Sequence, residues 1–329
     1  MTMEAVPPTG AAGRLSETEP APASKPRGVL RQLVLGDRQA AFGALVLVLF
    51  AVVAIAAPLI SPYSPTDKVG PVYAPPSSEH FLGLDDGGID MLTLLIWGAR
   101  VSLLVGFAAS LMAMLIGGAV GILSGYLGGR TDTVLMRITD YFLVIPDVPL
   151  MIVAAAIWGQ SLFNIVVIIA VIYWTSTARL IRAQVKSVRE QVYVKRARAL
   201  GAGNLRLITR HVLPQVTPLL VANTVLTVAT AIFAETYIAF LGLGDPTQIS
   251  WGKLIQNSLS GGAIFSDAWW AIVPPGVCVT VVILACTMVG QSMEDALNPR
   301  LKVGHLSVHR FRLRSLPAKP AKSAKASAE

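Results

Sequence analysis

Residues 40–60 run for 21 positions without one charged side chain. A helix rises 1.5 Å per residue, so about 20 apolar residues cross the roughly 30 Å hydrocarbon core of a bilayer. At that depth only helices or closed barrels satisfy their own backbone polar groups. This run therefore restricts the fold more than any motif does, and the pattern recurs at residues 101–123, 135–158, 162–180, 219–241 and 271–289. The third and fourth runs are less clean: Arg137, Asp140 and Arg179 lie near one end, and "IPDVP" (145–149) interrupts the third. The expectation is an all-α integral membrane protein with six transmembrane helices. Composition agrees, with 14% charged residues against about 25% in an average soluble domain.

The cations orient these spans. Of 27 Lys and Arg, 24 fall in the N-terminal segment, the second connection, residues 179–211 and the C-terminal segment; Lys68, Arg100 and Lys253 lie on the other side. The positive-inside rule then places both termini in the cytoplasm. The net charge of +8 follows this topology, so no nucleic-acid partner is expected. Trp97, Trp158, Trp251, Trp269 and Trp270 gather at the opposite ends, as an interfacial belt would, beside two larger external loops at 61–98 and 242–270. The organisation expected is a disordered cytoplasmic tail (1–28), an N-terminal region with the first span and an external loop (29–98), a five-span core (99–299) with a cytoplasmic loop at 190–214, and a basic cytoplasmic tail (300–329). Cys278 and Cys286 are two helical turns apart, roughly 12 Å, beyond the ~7 Å limit for a disulfide.

Several functions lose their chemistry at this point. His80, His211, His305 and His309 all lie outside the spans, which argues against an intramembrane haem, metal site or Ser-His pair. The phosphate-binding pattern G-x-x-x-x-G-K-[ST] is absent; Gly252-Lys253 is followed by Leu254. No cofactor and no enzymatic activity are expected of this chain. A stand-alone gradient-driven carrier or channel is the alternative reading. Such carriers hold several ionisable groups in the membrane, whereas here the candidates are Glu235 and Asp147.

The segment "YVKRARALGAGNLRLITRHVLP" (193–214) is basic, acid-free and broken by Gly201 and Gly203. Before it, Arg179, Arg182, Lys186 and Arg189 fall within roughly 80° of arc, predicting that the fourth span continues into the cytoplasm with one basic stripe. "YVKRARAL" predicts a short helix ended by the glycines. Asn204 is the expected N-cap of a second short helix at 205–213, with Leu205, Ile208 and Val212 on one face and Arg206 and Arg210 on another. Pro214 is expected to break the chain before the next span. A compact knob results. The pattern alone fits a solvated basic loop and a docking element equally.

On the fifth span, Asn223, Thr227 and Thr230 fall within about 60° of arc, with Glu235 a turn beyond. Polar groups at this depth face a cavity or bond to a neighbouring helix. The prolines of "IPDVP" kink the third span and line a path or act as a pivot. Gly117, Gly118, Gly121 and Gly125 predict close helix packing.

The knob resembles the EAA loop of ABC importer permeases: Gly201, nine residues "AGNLRLITR", then "HVLP". Four separated motifs, "HFLGLDDGGIDMLTLLIWGARVSLLVG" (80–106), "GYLGGRTDTVLMRITDYFLVIP" (125–146), "ARALGAGNLRLITRHVLP" (197–214) and "AFLGLGDPTQISWGKLI" (239–255), resemble the dipeptide/oligopeptide/nickel permease family, in the branch with one N-terminal span and a long external loop. The likeness runs over roughly residues 31–300. It implies the type I importer permease fold in a bacterial inner membrane. It also implies a sister permease, two ATPase subunits or domains that bind ATP and Mg, and an extracellular binding protein delivering short peptides, nickel complexes, glutathione or haem. The ATPase would be met by Tyr193, Lys195, Arg196, Ala197, Leu200, Gly201, Ala202, Arg206, Arg210 and His211. The path would be lined by Asp147, Asn223, Thr227, Thr230 and Glu235, although Glu235 is typical of the family and suits a structural role at the outer end. The external acids Asp67, Glu79, Asp85, Asp86 and Asp90 are expected to be solvated or capping residues. Three departures stand out. Lys195-Arg196-Ala197 replaces the family Glu-Ala-Ala, whose acid contributes to the ATPase contact. Ile89 replaces an Arg beside Asp90, and Asp147 replaces a small or apolar residue.

Overall fold

The computed structural model describes residues 37–297, so the expected tails at 1–28 and 300–329 lie outside the described residues. The described residues are helical apart from loops and one isolated bridge between Leu84 and Asp90. Helix α1 (Arg38–Ile60) starts where the Asp37 carboxylate accepts from the Gln39 N–H at 3.0 Å. Helix α2 (Met91–Leu127) starts well before the expected residue 101, because Asp90 caps it through the Thr93 N–H at 2.8 Å. The single charged residue of this helix, Arg100, does not interrupt it.

The third span is not one helix. Helix α3 (Gly129–Val144) and helix α4 (Asp147–Trp158) meet at 88°. Pro146 explains the break: it has no N–H to give and drives Ile145 to extended backbone, φ −76° and ψ 126°. Helix α5 (Leu162–Arg189) follows, then α6 (Val192–Ala199) and α7 (Asn204–Leu207), a π turn (Ile208–Val212), α8 (Leu213–Phe240), α9 (Trp251–Ser260) and α10 (Trp269–Leu297). Among the described residues, five helices are long and apolar enough to cross a membrane, or six if the bent pair counts as one span.

Helices α2 and α5 form the tightest seam. A Cβ on Gly121 would lie 2.7 Å from the Ala178 carbonyl, and one on Gly125 would lie 2.8 Å from that of Arg182; Gly117 abuts the Trp174 carbonyl in the same way. Absent side chains let the two backbones touch, as the sequence expected. The tryptophan belt is only partly present. Trp158 and Trp269 are exposed, but Trp251 is fully buried, its indole N–H donating to the Leu95 carbonyl at 3.0 Å, and Trp270 is buried with its N–H on the Leu84 carbonyl at 3.2 Å. Each places a large apolar body in the core and satisfies its one donor there, which helix-end position alone does not reveal.

The loop between α1 and α2 is built on its acids. Asp85 accepts from the Gly87 and Ile89 N–H groups at 2.9 and 2.8 Å, and burial pushes its carboxyl up from the ordinary carboxylate range. Asp90 caps α2 and meets His80 Nδ1 at 3.1 Å. Asp67 and Glu79 are exposed and Asp86 is half-buried.

Candidate functional site

Two places gather the sequence-predicted residues: the elbow between α5 and α8, and a cavity between the middles of the long apolar helices. The elbow begins where α5 ends at Glu190. Helix α6 closes on Gly201 at φ +86°, with the Gly201 N–H donating to the Arg198 carbonyl at 3.0 Å and the Ala202 N–H to that of Ala197 at 3.1 Å. These two bonds form a Schellman C-cap, which requires the left-handed backbone that glycine adopts without strain. A Cβ at Gly201 would meet nothing within 4 Å, so backbone conformation and not crowding demands the glycine.

The second arm differs from expectation. Gly203, not Asn204, caps α7; Asn204 is its first helical residue, and its side-chain oxygen accepts from the Tyr126 hydroxyl at 3.3 Å. The predicted helix at 205–213 is one α turn and one π turn, and the chain then enters α8 without stopping. The wider π turn, with the Leu213 N–H reaching the Ile208 carbonyl, puts the change in the hydrogen-bond ladder beside Pro214. The helical phase shifts accordingly. Leu205 is 76% exposed, and the buried face is Val194, Leu207 and Val212, packed on Ile181 and Val185 of α5.

All ten expected contact residues share this one knob. Tyr193, Lys195, Arg196, Leu200, Gly201, Arg206 and Arg210 are exposed, while Ala197, Ala202 and His211 are half-buried. Leu200 projects furthest, at 89% exposure. Lys195 pairs at 2.8 Å with Glu190, whose carboxyl that hydrogen bond holds below the ordinary range.

The basic stripe of α5 is not free for a partner. Arg182 grips Asp132 at 2.5 and 2.8 Å, Lys186 adds a bond to Asp132 at 2.8 Å, and Arg179 meets Asp140 at 2.5 Å. Arg189 donates to the Tyr126 carbonyl at 2.9 Å. Tyr126 is itself 2% exposed, and the Arg198 guanidinium lies 5.4 Å over its ring. It follows Gly125 directly, so one residue joins the α2–α5 seam to both arms of the elbow. Sequence periodicity gave no sign of Tyr126 or Asp132. Both sit inside the "GYLGGRTD" motif, the one signal that marked them.

The cavity, about 520 Å³, opens between the α3–α4 break, the middle of α5 and the middle of α8. It brings together Asp147, Asn223, Thr227 and Thr230, and adds Tyr173 and Ser176, which the sequence reading missed. Glu235 is not among its lining residues. It is 2% exposed and Ser102 donates to it at 3.1 Å, while the same Ser102 oxygen accepts from the Trp251 N–H at 3.2 Å. Glu235 therefore joins α2, α8 and the start of α9. The sequence placed it a turn beyond the polar stripe, and that turn carries it into a sealed contact.

The chain thus combines long apolar helices, an open cavity at a broken helix pair and an exposed basic elbow. Residues 117–303 match the family described as binding-protein-dependent transport system inner membrane component, and residues 35–76 match the N-terminal TM domain of oligopeptide transport permease C. The chain is 35% identical to the oligopeptide transport system permease protein OppC of Bacillus subtilis, over 81% of this chain and 87% of that one. It is 34% identical to the dipeptide transport system permease protein DppC of the same organism, over 81% and 83%. A putative peptide transport system permease protein of Brucella suis is 36% identical over 79% and 88%. This chain belongs to the binding-protein-dependent transport system inner membrane component family and is a permease subunit.

Proposed function

We propose that this chain forms half of the transmembrane path of an ATP-driven importer of short peptides in a bacterial inner membrane. A sister permease supplies the other half, ATPase subunits carrying ATP and Mg dock on the elbow at 190–214, and an external binding protein delivers cargo to the loops at 61–98 and 242–270. Both termini are cytoplasmic, which puts the elbow with its cations inside. The observation that carries this reading is the pairing of an open cavity on the broken third span with an elbow stiffened by its C-cap and anchored through Tyr126. A rigid elbow passes on a movement of a docked partner without absorbing it. The peptide cargo is read from the relatives' names, two of which specify oligopeptides and dipeptides.

The test is reconstitution. Vesicles holding this chain with its sister permease, ATPases and binding protein are expected to accumulate peptide only with ATP, and this chain alone to accumulate none. Uptake by the purified chain driven by an ion gradient would establish the stand-alone carrier instead.

A further inference from the structure

We infer that the cavity at the α3–α4 break favours cargo bearing a positive charge, with Asp147 as the selecting group. The inference rests on the transport reading above. Among the described residues, Asp147 is the one charged residue in the cavity lining, and no Lys, Arg or His lines it. The nearest cation along α5, Arg179, lies one turn past Ser176 and is bound to Asp140 at 2.5 Å. One Asp147 oxygen accepts from the Val148 N–H at 2.9 Å, and the other makes no hydrogen bond among the described residues. Asp147 is exposed to the opening and begins α4, where the helix end favours a negative charge.

The neutral groups around it point the same way. Ser176 gives its hydroxyl proton to the Tyr173 carbonyl at 3.0 Å, Thr227 to that of Asn223 at 2.9 Å, and Thr230 to that of Thr227 at 2.9 Å. The Asn223 amide donates to Thr177 at 2.9 Å. A hydroxyl has one proton, so these oxygens offer only lone pairs to an occupant. The Tyr173 hydroxyl and the second Asn223 N–H are the donors left in this lining, fewer than the acceptors, so the wall around Asp147 suits a multiple donor such as an ammonium or guanidinium group better than a carboxylate. As the lone charge in the lining, it shifts the passage of opposite and like charges in opposite directions. The chemical class is thus a peptide with a Lys or Arg side chain, preferred over its acidic counterpart.

The experiment uses the full reconstituted complex and three tripeptides differing only in a central Lys, Ala or Glu, with binding-protein affinity for each measured separately and divided out. The wild type is expected to move the Lys peptide faster than the Glu peptide. Asp147→Asn, close in shape, is expected to lower that ratio about tenfold, as loss of one partly desolvated charge contact would. Asp147→Glu is expected to restore it, and Thr230→Lys to reverse it. An unchanged ratio in Asp147→Asn overturns the inference, as does an equal fall for all three peptides, which would assign Asp147 to the bend alone. If the wild-type complex moves none of the three with ATP, the transport reading itself fails and the inference falls with it.

Discussion

Glycine serves opposite purposes in two parts of this molecule. On α2, Gly117, Gly121 and Gly125 face the carbonyls of α5 so closely that no side chain fits. At the elbow, Gly201 has empty space around it and a φ of +86°. The first set is fixed by contact, the second by backbone conformation, and the second leaves its surface free. A seam without free volume moves as a body, while a knob with exposed Leu200 and Leu205 is shaped to be covered by something else. Tyr126 stands between them, bonded to Arg189 through its carbonyl and to Asn204 through its hydroxyl.

The contrast breaks most sharply at the seam. Gly121→Leu is expected to destroy the protein, because its Cβ would already lie 2.7 Å from the Ala178 carbonyl and 2.9 Å from Ile181 Cβ. Overpacking costs about 1–3 kcal/mol or more, and here the obstructing atoms are backbone. The expected outcome is loss of the monodisperse peak in detergent. A normal peak would mean that the seam has slack, and the rigid-body account would fail.

Gly201→Val comes next and is expected to separate folding from coupling. A β-branched residue at positive φ costs roughly 1–3 kcal/mol, confined to an exposed elbow. The variant is expected to fold and to copurify with the ATPases, while binding-protein-stimulated hydrolysis and uptake fall together. Gly201→Asn, which tolerates the left-handed region, is expected to keep most of both. Full stimulation in the valine variant would show that the elbow's shape is not what couples.

These two regions also differ in how far they were legible beforehand. Long apolar runs announced α1, α5, α8 and α10, and the need for positive φ at Gly201 followed from where the short helix had to stop. The seam glycines were legible as packing, though not which helix they met. Three readings went astray for local reasons. Asp90 caps α2 earlier than hydropathy begins; Pro146 breaks the third span instead of kinking it; and the π turn at Ile208–Val212 moves Leu205 out of the face assigned to it. The Asp132 staple was out of reach altogether, since its partner Arg182 lies 50 residues away and charge patterning along one helix does not report an acid on another.

A milder effect is expected where the polar groups repeat the contrast, Glu235 sealed and Asp147 open. Glu235→Leu would leave the Ser102 hydroxyl without its acceptor in a dry site, at about 1–3 kcal/mol for a group left unsatisfied. Glu235→Gln keeps an acceptor for Ser102, so complex yield is expected to fall less than with leucine. If Gln abolished uptake while assembly stayed normal, Glu235 would act through its charge and the division between sealed and open sites would need redrawing.

The smallest effect is expected at Lys195. Its pair with Glu190 is open to water, with the two side chains 60% and 63% exposed, so solvent and salt screen most of the attraction. The Glu190 carboxyl lies below its ordinary range through that hydrogen bond. The pair's small contribution is therefore present above the ordinary carboxylate pKa and is lost as pH falls through the lowered one. Lys195→Ala is expected to keep near-wild-type stimulation of ATP hydrolysis at neutral pH. It also frees Glu190, the acid nearest the position where the resembling family carries its glutamate. Glu190→Ala is accordingly expected to cost more stimulation than Lys195→Ala, because it removes the carboxylate available to an ATPase surface, whereas losing Lys195 only releases it. The reverse order, with Lys195→Ala collapsing stimulation while Gly201→Val retains it, would place the coupling in charge and leave the open glycine a matter of chain geometry alone.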